Sequence, residues 1–204
     1  MTGVLIVPGL FGSADGHWQR FWQDERPDAR IVHQVDWDHP HLDCWLETLE
    51  RAIEAAGKAY IVAHSLGCLL TARLAQRPAA RRVRGAFLVA PCNLGQTELL
   101  HPGRLAFGTM PTQPLPFPSL LIGSVNDPYM SPAQIDRLKD DLEVPLHTIG
   151  AAGHINVASG YGRWREGYAL FETFRAEIEA HHQRDAAVRG TQGRRLPAAW
   201  RAAG

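Results

Sequence analysis

Short apolar segments alternate along the chain with longer segments of helical periodicity, and this alternation restricts the fold more than any other feature. Several of the short segments are almost continuously apolar, as strands are when both faces of their sheet are covered. The six predicted strands are Val4–Pro8, Ala29–Val35, Ala59–Ala63, Gly85–Ala90, Ser119–Gly123 and Pro145–Ile149. A strand–helix–strand rhythm of this kind predicts a parallel sheet with right-handed crossovers.

The segments between the strands carry the helical signal. In the segment 42–56, apolar side chains recur every three or four residues and form one stripe. The predicted helices are His17–Asp24, Leu42–Ala56, Leu66–Gln76, Pro132–Asp141 and Arg163–His181. The sequence therefore predicts an α/β fold, with a mostly parallel central sheet of six strands and helices on both faces.

Residues 91–118 interrupt this rhythm. Six prolines in that segment make a long regular helix unfavourable, so we expect a loop or a short interrupted helix. This segment is the only material for a partial lid, and no insertion is long enough for a full cap domain. We expect one domain over residues 1–182, followed by a flexible basic C-terminal tail over residues 183–204.

Charge and cysteine content restrict the class of partner. The 204 residues include 21 Lys or Arg and 21 Asp or Glu, which gives a formal net charge of zero. This balance argues against nucleic acid or an anionic membrane as the main partner. The three cysteines show no C-x-x-C spacing and are interpreted as reduced thiols. The N-terminal apolar run is broken by Pro8 and is too short for a signal peptide or a membrane span, so a cytoplasmic location is expected. The oligomeric state is left open.

Three residues with complementary chemistry follow three of the predicted strands. Ser65 lies in YIVAHSLG after the third strand, Asp127 in SVNDP after the fifth, and His154 in GAAGHIN after the sixth. Ligands of open parallel sheets bind outside the carboxyl ends of the strands. The chain order Ser, Asp, His is that of α/β-hydrolases, although Ala63 replaces the first glycine of the G-x-S-x-G motif. Two alternatives remain: Ser65 could only cap a helix, and Asn126-Asp127-Pro128 could only form a turn.

Four motifs in order, VPGLFGS with HWQ, AHSLG, SVNDPY and GHIN, carry a family resemblance over roughly residues 3–180. The chain resembles the α/β-hydrolase superfamily, and within it the small serine hydrolases of the retinoblastoma-binding-protein-nine and YdeN-like family. The resemblance implies that three of these motifs hold a catalytic triad and that the loop after the first strand completes an oxyanion hole.

Acyl transfer assigns a role to each residue of such a triad. Ser65 would attack the carbonyl carbon, His154 would act as base and then as acid, and Asp127 would orient the imidazole. The oxyanion needs two N–H donors, for which we expect the backbone N–H groups of Leu66, at a helix N-terminus, and of Leu10.

Further residues near these motifs are candidates for contacts with the substrate. Gly9, Phe11, His17, Trp18 and His64 form this set. His17 could instead cap or pack the first helix, and His64 could have a packing or hydrogen-bonding role. No cofactor and no metal are expected, because the His39-Pro40-His41 segment, with its neighbouring aspartates, has no paired ligand spacing elsewhere.

The sequence therefore predicts a serine hydrolase that cleaves a small ester or a related acyl substrate through an acyl-enzyme intermediate. Its expected partner is a small acyl compound bound in a shallow, open pocket. One alternative is a thioesterase or amidase that uses the same triad. The other is a protein-interaction module that keeps the fold, for which LDCWLE, residues 42–47, approaches an L-x-C-x-E motif but lies on a predicted amphipathic helix.

Overall fold

The fold is built on one parallel sheet of six strands. The computed structural model describes residues 2–192, and side chains up to residue 186. The strands are β1 Gly3–Val7, β2 Ala29–Ile31, β3 Ala59–His64, β4 Val83–Val89, β5 Ser119–Gly123 and β6 Leu146–Thr148. Their order in the sheet is β2-β1-β3-β4-β5-β6, and every neighbouring pair is parallel. The predicted fold class is confirmed.

Six α-helices connect or follow these strands. They are α1 Trp18–Glu25, α2 Leu42–Ala56, α3 Leu66–Ala72, α4 Leu94–Leu100, α5 Pro132–Leu142 and α6 Arg165–Gln192. Short 3₁₀ helices cover Arg73–Gln76, Pro78–Arg82 and Val157–Ser159. The predicted helix Leu66–Gln76 is therefore α-helical only to Ala72. In α6 the helix continues beyond the predicted end, so residues 183–192 of the expected tail are helical, and residues 193–204 of that tail lie outside the described residues.

Helices cover both faces of the sheet because successive strand residues point to opposite sides. Leu5, Ile61 and Leu88 pack with residues of α2, α3 and α5 in one apolar cluster. Their neighbours Ile6, Val62 and Phe87 pack with residues of α1 and α6 in a second cluster. The sheet is thus the middle layer of three.

The stripe predicted on α2 faces the core. Trp45, Leu46, Leu49 and Ile53 are buried in the first cluster, whereas Cys44 on the same helix is exposed. The LDCWLE segment is therefore used mainly for packing α2 against the sheet.

The proline-rich segment contains one short helix. The side chain of Asn93 accepts a hydrogen bond from the N–H of Gln96 and caps α4 at its N-terminus. The helix ends at Leu100, and the chain then runs without regular strands or helices to β5. This is the short interrupted helix that the prolines predict.

Within residues 2–192, no helix combines the length and the apolar character that crossing a bilayer requires.

Candidate active site

Ser65 lies on a sharp turn between β3 and α3. Its φ of 55° and ψ of −124° are rare for a residue with a side chain. Its N–H donates to the carbonyl of Val89, 3.1 Å away, which holds the turn against β4. Its hydroxyl makes no capping bond to α3, so the interpretation of Ser65 as a simple helix cap is wrong.

The two small residues around Ser65 are under different constraints. A Cβ on Gly67 would lie 2.3 Å from the carbonyl oxygen of Val7 and 2.7 Å from that of Pro8. Both obstacles are backbone atoms of β1 and its loop, so only glycine fits here. Ala63, by contrast, is fully buried in the first apolar cluster, and its methyl group is part of that packing. The departure from G-x-S-x-G therefore falls on the position that tolerates a methyl group.

The side chains of Ser65, His154 and Asp127 form one continuous hydrogen-bonded chain. His154 Nε2 lies 2.9 Å from Ser65 Oγ, and His154 Nδ1 lies 3.0 and 2.9 Å from the two carboxylate oxygens of Asp127. All three residues are buried, with exposed fractions of 8%, 6% and 9% respectively. Because the carboxylate accepts from Nδ1, the neutral ring presents an unprotonated Nε2 to the serine hydroxyl. In this tautomer the imidazole can accept the serine proton.

The loop after β5 places Asp127. The N–H of Tyr129 donates to Asp127 Oδ1 over 2.8 Å, so residues 127–129 form a turn that also holds the carboxylate. Asn126 Oδ1 accepts from the N–H of Gly153 at 2.7 Å, and Ser124 Oγ accepts from the N–H of Ala152 at 2.9 Å. These bonds join the loop after β5 to the loop that carries His154.

The loop after β6 places His154. Its N–H donates to Ser159 Oγ at 3.0 Å, and its carbonyl accepts from His64 Nε2 at 2.9 Å. Gly153 has φ 56°, and a Cβ there would lie 2.4 Å from Ser159 Oγ. Both the backbone conformation and the close contact therefore require glycine before His154.

The loop after β1 lies directly against the Ser65 turn. A Cβ on Gly9 would lie 2.7 Å from Ser65 Cβ and 3.0 Å from the nitrogen of Leu66. Over residues 2–192, the N–H groups of Leu10 and Leu66 have no hydrogen-bond acceptor in the protein. Leu66 is the first residue of α3, where the helix dipole favours negative charge. Two backbone donors without an acceptor thus lie on the loop and the turn that meet beside Ser65.

A pocket of about 300 Å³ opens onto this chain. Of the residues that the sequence marked as candidates for substrate contact, Phe11, His17 and His64 line it, and so does Leu10. Gly9 lies beneath the wall, against Ser65. Trp18 is a correction: it is fully buried in the second apolar cluster, and its indole N–H donates to the carbonyl of Ile155. Trp18 is adjacent to His17 on the chain, so the two side chains point in different directions. That of His17 lines the pocket, and that of Trp18 points into the core.

Four polar residues of the lining were not predicted. They are Thr97, His101, Tyr129 and Asn156. His101 Nε2 and the Tyr129 hydroxyl share a hydrogen bond of 2.9 Å, and the Tyr129 ring lies 4.3 Å from the ring of His154. Tyr129 stands in SVNDPY, so its place beside Asp127 was a usable signal. His101 follows α4 and approaches the site only through the tertiary fold.

Burial keeps two further imidazoles of the pocket neutral. Burial, together with His154 and Arg20, lowers the pKa of His17 to about 4. Burial and the neighbouring His154 and His17 lower the pKa of His64 well below its usual value. Among the described residues, the pocket lining includes no Asp, Glu, Lys or Arg. Near neutral pH His17 and His64 are therefore neutral, and the wall around Ser65 is polar without a carboxylate, ammonium or guanidinium group.

The two buried cysteines lie behind the wall rather than in it. Burial raises the pKa of Cys92 to about 11 and that of Cys68 well above its usual value, so both are neutral thiols. No group of three or more His, Cys, Asp or Glu side chains in the described part of the chain is arranged to hold a metal ion.

The sheet topology and the Ser-His-Asp chain define the α/β-hydrolase class. Residues 4–173 match the serine hydrolase family, and the protein belongs to that family. No curated protein sequence matches it significantly.

Solved structures agree with this assignment. A structure from Pectobacterium atrosepticum described as a YdeN-like hydrolase is 28% identical, with a TM-score of 0.76 over 87% of this chain and 92% of the other. The ydeN gene product of Bacillus subtilis is 20% identical, with a TM-score of 0.69 over 86% and 100% of the two chains. A thermophilic esterase from Thermogutta terrifontis is 14% identical, with a TM-score of 0.62 over 87% and 90%. At the identities of the last two, the likeness concerns the fold alone.

Proposed function

We propose that this serine hydrolase cleaves a small, uncharged ester through an acyl-enzyme intermediate on Ser65. The observation that carries the proposal is the unbroken hydrogen-bonded chain from Ser65 through His154 to Asp127 at the wall of a pocket. In this proposal Ser65 is the nucleophile, His154 the general base and acid, and Asp127 the residue that orients and stabilises the imidazolium.

The first half-reaction forms the acyl-enzyme. Ser65 Oγ bonds to the carbonyl carbon while its proton moves to His154 Nε2. The carbonyl oxygen becomes an oxyanion between the N–H groups of Leu10 and Leu66, which have no other acceptor in the described protein. The intermediate then expels the alkoxy group, which takes the proton from His154 and leaves as an alcohol.

The second half-reaction restores the enzyme. Water adds to the acyl carbon as His154 takes one of its protons, and the second oxyanion forms against the same two donors. Its collapse breaks the bond to Ser65 Oγ, which recovers the proton from His154, and the carboxylic acid leaves. No cofactor takes part in this sequence.

The pocket supports the choice of substrate. Its volume of about 300 Å³ lies at the lower end of the range for small-molecule sites, roughly 300–1,000 Å³. Its lining contains no Asp, Glu, Lys or Arg among the described residues, so an acidic or basic acyl group would find no oppositely charged partner of these types there. A short neutral acyl chain satisfies both conditions. Thioesters and amides of the same size remain chemical alternatives for the same triad.

The interaction-module alternative has weaker support. The segment LDCWLE is part of α2, and Trp45 and Leu46 within it are committed to the core. A partner could reach Cys44 and Glu47 only from the outer face of that helix.

Labelling with a fluorophosphonate probe tests the nucleophile. We expect the wild type to be labelled at Ser65, as located by peptide mass spectrometry, and Ser65→Ala to remain unlabelled. Ser131→Ala, which removes the exposed N-cap of α5 and leaves Ser65 unchanged, is the matched control and should label like the wild type. Labelling of Ser65→Ala at the wild-type rate would reject Ser65.

A series of 4-nitrophenyl esters from acetate to decanoate tests the acyl-chain preference. We expect kcat/KM to be highest for the two- to four-carbon acyl groups. A maximum at eight or ten carbons would contradict a small pocket.

A further inference from the structure

Two imidazoles that the proposed reaction does not use lie beside Ser65. His17 and His64 both line the pocket, with ring centroids 4.9 Å apart in an edge-to-face contact. His64 is also 4.9 Å from the ring of His154. Any group of a substrate that lies next to the reacting carbonyl on this side meets these two rings.

The hydrogen bonds of His17 determine its tautomer. His17 Nδ1 accepts from the N–H of Gln19 over 3.2 Å and caps the N-terminus of α1. A neutral imidazole that accepts at Nδ1 carries its proton on Nε2. Among the described residues Nε2–H has no acceptor, and this nitrogen is not fully buried. His17 therefore presents a free donor to the pocket.

His64 has the opposite arrangement. Its Nε2 lies 2.9 Å from the carbonyl oxygen of His154, which can only accept, so the proton is on Nε2. Nδ1 of the neutral ring is then an acceptor. Within the described part of the chain Nδ1 has no donor, and it is also not fully buried. A free donor and a free acceptor thus belong to two rings of the pocket lining whose centroids lie 4.9 Å apart.

We propose that His17 and His64 form a subsite for a hydroxyl group of the substrate near the scissile carbonyl. A hydroxyl can accept from His17 Nε2–H and donate to His64 Nδ1 at the same time, which no carboxylate or ammonium group can do. The substrate class is therefore a short hydroxy ester, with the hydroxyl on the acyl part or on the alcohol part. This inference rests on the proposed ester hydrolysis and specifies its substrate.

Two matched substrate pairs test the subsite. The first pair is 4-nitrophenyl 3-hydroxybutyrate and 4-nitrophenyl butyrate, which differ in an acyl hydroxyl. The second pair is 2-hydroxyethyl butyrate and propyl butyrate, which differ in a hydroxyl of the alcohol part. Each kcat/KM ratio is divided by the ratio of the alkaline hydrolysis rates, so that intrinsic reactivity cancels. In at least one pair we expect the hydroxylated ester to be preferred by about tenfold or more, since sites that hydrogen-bond a substrate hydroxyl reject analogues that lack it.

Two variants of His17 separate the donor from the helix cap. His17→Ser keeps a capping oxygen but cannot reach the pocket, whereas His17→Phe keeps a ring but has neither nitrogen. Both lose Nε2–H, so in both we expect the preference to fall to about one. Ser131→Ala, which removes the cap of α5, should keep the wild-type preference.

The outcomes distinguish this inference from the proposed function. A wild-type ratio near one in both pairs, or a preference that survives in either His17 variant, overturns the subsite. If Ser65 is labelled by fluorophosphonate while the ratios stay near one, only the subsite is wrong. If Ser65 is not labelled, the proposed hydrolase mechanism fails first.

Discussion

Ser65 shows how backbone strain is used to aim a side chain. A non-glycine residue at φ 55° costs on the order of 1–3 kcal/mol and persists only where its surroundings hold it. Here the N–H of Ser65 bonds to Val89, and Gly67 lies against the carbonyl oxygens of Val7 and Pro8. The turn is thus fixed from β4 on one side and β1 on the other. Its result is a hydroxyl 2.9 Å from His154 Nε2.

Asp127→Asn tests the role of the carboxylate at this scale. An amide can donate to His154 Nδ1, which places the proton of the neutral ring on Nε2 and removes the base that faces Ser65. We expect kcat to fall by roughly 10⁴-fold, as in other triads with this change, with little effect on KM. Steady-state kinetics with 4-nitrophenyl acetate measure the effect.

The control for that variant is Asp136→Asn on α5, whose carboxylate is exposed and distant from His154 in the chain. It should retain wild-type kcat. A kcat for Asp127→Asn within tenfold of the wild type would show that the carboxylate does not orient the imidazole.

The sequence predicted the triad residues more successfully than it predicted which other side chains contact the pocket. Ser65, Asp127 and His154 each follow a strand, and parallel strands end at one edge, so the sequence places them together before any packing is known. The sequence left open whether His17 caps α1 or contacts the substrate. The structure shows that it caps α1 through Nδ1 and also lines the pocket, so the two roles are compatible. Trp18 was expected to contact the substrate, but the direction in which a helix points its first side chains depends on what packs beneath the helix. Here Ile155 and the second apolar cluster receive the indole.

At the scale of elements, the site depends on how closely two loops approach. The loop after β1 and the turn after β3 meet at Gly9, where a methyl group would overlap Ser65 Cβ. Leu10 follows this contact and lines the same pocket as Ser65, and the proposed oxyanion hole needs its N–H beside that of Leu66. The proposed oxyanion hole is therefore a property of the spacing between two loops.

Gly9→Ala should separate those loops. Gly9 has no positive φ, so alanine is acceptable to the backbone and the obstacle is the 2.7 Å contact with Ser65 Cβ. The loop would have to shift, which moves the Leu10 donor away from the oxyanion. Loss of one such donor typically lowers kcat by about 10²–10³-fold, and we expect a decrease in this range. Kinetics with 4-nitrophenyl acetate and a circular dichroism melt separate lost activity from lost fold.

Gly3→Ala is the matched control on β1. The nearest atom to a Cβ there is the carbonyl oxygen of Asp28 at 3.6 Å, an ordinary contact. It should keep the wild-type kcat. Equal activities of Gly9→Ala and Gly3→Ala would mean that the loop spacing does not determine the rate.

The boundaries of the strands were predicted to within two residues, except for the end of β2 at one edge of the sheet. Ser119–Gly123 and Leu42–Ala56 match the predicted ranges. In contrast, β2 was predicted to reach Val35 but ends at Ile31, because it pairs only with β1 and the chain leaves the sheet afterwards. Val35 is 85% exposed, so its apolar character does not report burial. The end of a partner strand cannot be deduced from the apolar run itself.

At the scale of the whole molecule, a group of ion pairs joins distant parts of the chain on one face of the sheet. The face covered by α1 and α6 holds an ionic group in which Arg26 pairs with Asp28 and Glu172, and Arg175 pairs with Asp28. These pairs link α6 to the start of β2 and to the end of α1. His17 caps the N-terminus of the same helix and lines the pocket. The ionic group therefore holds α1 at one end, and the other end carries part of the pocket wall.

Acid should destabilise the fold because the unfolded chain protonates His17 more readily than the folded chain, in which His17 is buried in the pocket wall. Folding lowers the pKa of His17 from 6.5 to about 4, so between these values the unfolded chain binds a proton that the folded chain does not. The free energy of unfolding then decreases as the pH falls from 6.5 to 4, and His17 alone contributes about 3 kcal/mol to that loss. Urea unfolding at pH 7, 5.5 and 4.5 measures it, with His17→Ser as the comparison because it keeps a capping oxygen without a titrating ring. We expect the difference in unfolding free energy between wild type and His17→Ser to shift against the wild type as the pH decreases. Parallel pH dependences of the two proteins would show that His17 has the same pKa in the folded and unfolded states. Burial would then not be what keeps His17 neutral beside Ser65.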